Sequence, residues 1–69
     1  MVSYERLWIY LIKMKKNASS LATDCGISLA TMARMKKGLP VSLDVIDRIC
    51  LELDCKIEDV VEIKKTEES

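Results

Sequence analysis

A single glycine between two short segments with regularly spaced apolar residues constrains the possible folds of this chain more than any other feature. Gly26 separates segment 18–25 from segment 28–37. Glycine adopts a positive φ without the clash that a Cβ would cause, so one helix can end there and the chain can turn at once. Ala22 is expected where the second helix passes closest to the first, because only a small side chain fits such a crossing. The segment is therefore predicted to be two short helices joined by a tight turn.

The residues around this turn supply a shared core and a helix start. Leu21, Met32 and Met35 recur at helical spacing and are expected to be buried together, beside Ile27 at the exit of the turn. Ser28 can accept a hydrogen bond from an early backbone amide of the second helix and so begin it. Any compact helical hairpin can have one of these features, so their joint occurrence is the specific signal.

Capping residues divide the rest of the chain into further helices. Ser3 is the predicted N-cap of a first helix that runs to about Lys15, and Asn17 is the predicted N-cap of the second. Ser42 is predicted to cap a fourth helix, and residues 57–61 are predicted to form a fifth helix of one turn. The fourth helix has the clearest amphipathic pattern, with one apolar face formed by Leu43, Ile46, Ile49, Cys50 and Leu53.

The apolar run 7–12 has two possible structures. Its aromatic and β-branched residues are typical of a strand, whereas the predicted cap at Ser3 and the lysines at positions 15 and 16 favour a helix. In a helix, six successive residues cover the whole circumference, so one or two of them must be exposed or meet a partner. Ile9 and Tyr10 are the residues expected to be so placed.

Composition limits the class of protein. The chain has 69 residues, 49% of them hydrophobic, with two glycines and one proline, which favours one small helical domain. Cys25, Cys50 and Cys55 occur without a Cys-x-x-Cys pair and without histidine, so we expect free thiols in a reducing cytoplasm and neither a metal nor another cofactor. The run 7–12 is far shorter than the ~20 residues of a membrane span, and no signal peptide is evident.

Charge is divided between the two halves of the chain. Residues 1–42 contain seven basic and two acidic residues, a balance of +5, whereas residues 43–69 contain four basic and nine acidic residues, a balance of −5. Such an asymmetry would orient a domain on a polyanion, although the formal net charge is zero. The alternative is that these charges only cover two solvated faces.

The segment 18–38 resembles the DNA-binding helix-turn-helix of the lambda-repressor-like family, which includes Cro and the phage repressors. The resemblance extends over about residues 4–62 and implies a helix at 7–12. It also implies an all-α, compact five-helix domain over residues 1–63, with the helix-turn-helix at helices 2 and 3. The charged residues at the end of the chain predict a flexible tail at 64–69. The residues that carry the resemblance are Leu21, Ala22, Gly26, Ile27, Ser28, Met32 and Met35.

The family's docking geometry implies which residues touch DNA, with the third helix, 28–37, in the major groove. Arg34 is able to bond guanine in a bidentate manner, but it could equally contact phosphate or only be solvated. The base-contacting residues implied are Ser28, Leu29, Ala30, Thr31 and Arg34, and the phosphate-contacting residues are Asn17, Ala18, Ser19, Lys36 and Lys37.

One departure from the family pattern leaves two functions open. Many phage repressors have glutamine where this chain has Ala18 and Leu29, so the usual reading of adenine by paired amides is in doubt. The first hypothesis is a sequence-specific transcriptional regulator, a repressor by expectation, that binds double-stranded DNA. The second is an antitoxin-like or phage-encoded adaptor that keeps the scaffold without reading DNA. An enzyme is not expected, because no histidine, carboxylate pair or phosphate-binding loop stands out.

A homodimer is expected, because a domain this small rarely makes enough specific contacts with DNA by itself. Surplus apolar surface indicates where the two copies would meet. One candidate surface comprises Ile9 and Tyr10, and the other comprises Val60, Val61 and Ile63.

Overall fold

The computed structural model describes residues 1–65, in which four α-helices are joined to a small sheet made from the two ends of the chain. In chain order the elements are β1 (Val2–Ser3), α1 (Glu5–Lys13), α2 (Ala18–Cys25), α3 (Leu29–Lys36), α4 (Leu43–Leu53), a 3₁₀-helix (Ile57–Asp59) and β2 (Glu62–Ile63). Residues 66–69, most of the predicted tail, lie outside the described residues.

Three of the four predicted N-caps are confirmed. The side chains of Asn17, Ser28 and Ser42 each accept a hydrogen bond from the backbone amide three residues further on, at 2.7, 3.1 and 3.3 Å. Each bond satisfies one of the amides that the first turn of a helix leaves without an intrahelical acceptor. The starts of α2, α3 and α4 are therefore set by local side-chain chemistry.

The start and end of α1 differ from the prediction. Ser3 lies in β1, and the N-cap is Tyr4, whose side chain makes no capping bond. The Ser3 hydroxyl is one residue too early and accepts only a long bond of 3.4 Å from the amide of Glu5. The helix ends at Lys13 rather than Lys15, because Lys15 adopts a left-handed φ of 58°, which turns the chain out of the helix.

One core draws residues from all four helices. The burial predicted for Leu21, Ala22, Met32 and Met35 is confirmed. Leu43, however, is 74% exposed and Cys50 only partly buried, so the apolar face predicted for α4 was too wide. Leu43 is the first residue of α4. The core consists of Tyr4, Leu7, Leu11, Leu21, Ala22, Ile27, Met32, Met35, Ile46, Ile49, Leu53 and Val60.

The prediction of an all-α domain with five helices is wrong at the chain ends. Strand β1 pairs antiparallel with β2, with Val2 opposite Ile63 and Ser3 opposite Glu62. Residues 57–61 contain a short 3₁₀-helix rather than a fifth α-helix, and β2 follows directly. Two-residue strands joined across the whole chain leave no periodic pattern in the sequence, so only the tertiary structure reveals them.

The helical structure implied for the run 7–12 is confirmed, since it lies within α1. Ile9 is 52% exposed as expected, whereas Tyr10 is partly buried and its hydroxyl donates to the carbonyl of Leu53 at 3.4 Å. Ile12, at 74% exposed, takes the outward position instead. Tyr10 is therefore part of the packing between α1 and α4.

Candidate nucleic-acid interface

The turn between α2 and α3 has the geometry that its glycine predicts. Gly26 follows the last residue of α2 with φ 69° and ψ 32°, the left-handed conformation. The amide of Ile27 then donates to the carbonyl of Ala22 at 2.9 Å and closes the end of the helix. A Cβ on Gly26 would stand 3.5 Å from Nη1 of Arg48, an ordinary contact. The glycine is thus favoured by its backbone conformation rather than by lack of space.

Helix α3 is anchored along one side. Met32 and Met35 are 2% and 1% exposed, and they pack in the same core as Leu21 and Ala22 of α2. The opposite side of the helix faces solvent and includes Leu29, which is 70% exposed. An exposed leucine at the start of a helix offers apolar surface of the kind that contacts a thymine methyl group.

Two of the predicted base-contacting residues are bonded to each other. The hydroxyl of Ser28 accepts from the amide of Thr31 at 3.1 Å and donates to its Oγ1 at 2.9 Å. Ser28 has therefore used its one hydroxyl hydrogen, whereas the hydroxyl hydrogen of Thr31 can still be donated outward. Of the two, Thr31 is the better donor to a base.

Arg34 is exposed, but it is already bound to its own chain. Its Nη2 donates to the carbonyl of Pro40 at 3.0 Å, in the loop that follows α3. A guanidinium has five N–H donors, so this bond leaves others for a base or a phosphate. Arg34 and Thr31 line an open groove of about 290 Å³ together with Pro40, Val41, Ser42 and Val45.

The start of α2 presents backbone amides to solvent. Asn17 uses its side-chain oxygen to cap the helix, Ala18 is partly buried and Ser19 is exposed. The first amides of a helix have no intrahelical acceptor and carry the positive end of its dipole, so this end can accept an anion such as phosphate.

The cations of α3 and of its C-terminal end are not paired with acids in the part of the chain that the structure describes. Within residues 1–65, Arg34, Lys36 and Lys37 form no ion pair with a carboxylate, and all three are exposed. Their charge is therefore open to a polyanion. The ion pairs of the described chain are Arg6–Glu62, Arg48–Asp44 and Lys64–Glu5.

One exposed position on α3 was missed by the sequence reasoning. Ala33 is exposed and stands three residues after Ala30 and four before Lys37, so these residues share the outward face of the helix. The same helical spacing could have indicated Ala33 from the sequence, but its small apolar side chain suggested no contact chemistry.

An apolar groove of about 410 Å³ lies between the sheet, the start of α4 and the 3₁₀-helix. Of the two expected dimer surfaces, neither is exposed as a whole, because Val60 is fully buried and Tyr10 partly buried. Ile63 is 71% exposed and lines the groove together with Tyr4, Val41, Leu43, Ile57 and Val61.

The three cysteines are partly buried free thiols. Burial raises the pKa of each, and that of Cys55 rises from its ordinary value of 9.0 to about 11.

Residues 1–65 contain no group of three or more cysteine, histidine or acidic side chains placed to hold a metal ion. In that same part of the chain, no helix has both the length and the apolar character needed to cross a membrane.

Comparison with known proteins agrees with this geometry. Residues 6–66 match the family model of the Cro/C1-type HTH DNA-binding domain. The crystal structure of the transcriptional regulator VanUg is similar at a TM-score of 0.86 and 38% sequence identity, over 88% of this chain and 81% of that chain. No curated protein sequence matches. On the family match and on the turn at Gly26, this chain belongs to the Cro/C1-type helix-turn-helix DNA-binding domain family.

Proposed function

We propose that this protein is a sequence-specific transcriptional regulator, and that it represses by occupying an operator in double-stranded DNA. The observation that carries the proposal is the two-sided character of α3, which buries Met32 and Met35 while its cations stay exposed and form no ion pair with any acid of residues 1–65. The similarity to VanUg, a transcriptional regulator, supports the same conclusion.

In this proposal residues 28–37 enter the major groove, as in other helix-turn-helix proteins. Arg34 bonds the O6 and N7 atoms of a guanine, and Thr31 donates its free hydroxyl hydrogen to a neighbouring base. Leu29 and Ala30 contact thymine methyl groups, and Ser28 lies against the bases mainly as the cap that orients Thr31.

The phosphate contacts flank this helix on both sides. The amides of Ala18 and Ser19, together with the side chain of Asn17, face one phosphate at the positive end of α2. Lys36 and Lys37 neutralise phosphates at the other end, beyond the last turn of α3. Contacts of this kind hold the register of the protein on the duplex and carry no sequence information themselves.

Selection of binding sites from randomised duplex DNA tests this function. We expect a consensus sequence for the wild-type protein, and we expect Arg34→Ala to weaken binding to it by about 1–3 kcal/mol and to relax choice at one base pair. Arg6→Ala is the matched control, because Arg6 is an exposed arginine paired with Glu62. Wild-type protein that binds no duplex in a salt-dependent manner would favour the adaptor hypothesis instead.

We also propose that two copies bind one inverted repeat, and that they meet at the apolar groove. An isologous contact places the same surface on both sides, so Leu43 and Ile63 of each copy would enter the groove of the other. Leu43→Glu should shift sedimentation toward monomer and weaken binding to the inverted repeat. Leu51→Glu is the control, since Leu51 is 75% exposed, against 74% for Leu43, and does not line the groove. A monomer at high concentration that binds one duplex as a monomer would refute the dimer.

A further inference from the structure

Arg48 joins the fourth helix to the turn of the helix-turn-helix. It lies on α4, and its Nη1 donates to the carbonyl of Gly26 at 3.2 Å. Its Nε lies 3.2 Å from Oδ2 of Asp44, one helical turn earlier. The guanidinium therefore connects α4 to the turn that precedes α3.

The carbonyl of Gly26 is well placed for such a bond. It belongs to the residue that follows α2, where backbone carbonyls have no partner within the helix. The junction has a second contact, because Sγ of Cys25 lies 3.8 Å from the carbonyl of Arg48. Helix α4 thus contacts the turn on both sides of the Cys25–Gly26 peptide.

We infer that Arg48 is a positioning residue for DNA binding, which fixes the turn so that Ser28 and Leu29 meet the major groove in the correct orientation. This inference rests on the function proposed above. Helix α3 has eight residues, about 12 Å of helix, so a small rotation of the turn moves its first residues relative to a docked duplex. Contacts in a binding site must be held to within about 0.5 Å and 10–20°, and residues that touch no ligand supply much of that support.

Two variants at Arg48 separate positioning from direct contact. Arg48→Ala should weaken binding to the selected site by about threefold to tenfold, the range expected for one lost hydrogen bond, and should leave the slope of log affinity against log salt unchanged. A lost phosphate contact would instead make that negative slope less steep by about 1. Arg48→Lys keeps the charge but cannot bridge both partners, so its affinity should fall between those of the wild type and Arg48→Ala.

Arg6→Ala is the matched control, because it also removes an exposed, ion-paired arginine, with 60% of its side chain exposed against 49% for Arg48. It should bind as the wild type does. Equal weakening by Arg6→Ala and Arg48→Ala would show a general charge effect and overturn the inference. Thermal melting of each variant gives the folded fraction by which the affinities are corrected.

Substitution of Asp44 tests the inference by whether DNA affinity rises or falls. If the acids of α4 act on DNA only through charge, Asp44→Asn and Asp47→Asn should both strengthen binding. If Asp44 holds the guanidinium of Arg48, Asp44→Asn should weaken binding by about twofold, the value of an exposed ion pair at this spacing, whereas Asp47→Asn should not. Similar behaviour of the two variants would overturn the inference.

The outcomes distinguish this inference from the proposed function. Wild-type protein that binds no DNA would refute both. A wild type that binds a selected site, with Arg48→Ala binding equally well at every salt concentration, would refute the role of Arg48 alone. Amide hydrogen exchange in the free protein gives a readout without DNA, because Arg48→Ala should increase exchange at the Ile27 amide, which donates to Ala22 in the turn, by a larger factor than in the core of α1.

Discussion

The helix-turn-helix and the joined chain ends are stabilised by different interactions. In the first, Leu21, Ala22, Met32 and Met35 are each at most 2% exposed. In the second, which we call the terminal clasp, β1 and β2 pair by backbone bonds and the ion pairs Glu5–Lys64 and Arg6–Glu62 lie on the surface. Buried apolar contacts contribute more to stability than exposed ion pairs do.

The two regions also differ in what they leave for a partner. The charged side chains of the clasp are paired with one another. Nζ of Lys64 lies 2.6 Å from Oε1 of Glu5, and Nε of Arg6 lies 2.8 Å from Oε1 of Glu62. The cations of α3 have no such partners in the described chain. A protein with a formal net charge of zero can therefore present a basic surface, because its acidic and basic residues are paired unequally over the fold.

The largest expected effect is on the buried side of the helix-turn-helix. Ala22→Glu should prevent stable folding, because a carboxylate at a site only 1% exposed adds both overpacking and desolvation, each about 1–3 kcal/mol or more. Ala33→Glu makes the same change on the exposed face of α3 and should fold normally. Thermal unfolding followed by circular dichroism measures both. A wild-type transition for Ala22→Glu would show that α2 and α3 do not cross there.

A smaller effect is expected at the turn. Gly26→Ala should lower stability by about 1–2 kcal/mol, because alanine at a φ of 69° brings its Cβ close to the following carbonyl. A loss of that size lowers the melting temperature by about 4–8 °C for each kcal/mol in a domain this small. The added methyl meets only an ordinary contact with Arg48, so the fold itself should persist. An unchanged melting temperature would contradict the left-handed turn.

The smallest effect is expected in the clasp, where it depends on pH. The hydrogen bond and charge of Lys64 hold the pKa of the Glu5 carboxyl below its ordinary value of 4.5. The pair therefore stabilises the fold above that ordinary value, and the stabilisation is lost as the pH falls through the lowered pKa. Glu5→Gln should reduce the fall in melting temperature on acidification, whereas Glu52→Gln, on the exposed face of α4, should not. Identical acid profiles for Glu5→Gln and wild type would refute this role of the pair.

The parts of the fold that were predicted correctly depend on contacts between residues that are close together in the sequence. Asn17, Ser28 and Ser42 cap helices through amides three residues away, and Gly26 ends α2 through its own φ. The clasp was not predicted, because its strands are two residues each and pair across almost the whole chain.

In the candidate site, too, some features were predicted from the sequence and others were not. The family's docking geometry implied that Arg34 lies on the outside of α3, and Arg34 is exposed. Spacing alone does not show that its guanidinium binds the carbonyl of Pro40, or that Arg48 reaches the carbonyl of Gly26, since both partners lie in loops. The ends of α3 are thus held by bonds that no periodic pattern predicts.

The salt dependence of DNA binding, measured for two double variants of equal charge, tests most directly whether α3 faces DNA. Lys36→Gln with Lys37→Gln should make the negative slope of log affinity against log salt less steep by up to about 2, because each lost phosphate contact no longer releases a counterion. Lys64→Gln with Lys65→Gln removes the same charge at the clasp and should leave the slope unchanged. Equal slopes for the two double variants, or a wild type without salt-dependent binding, would contradict this account.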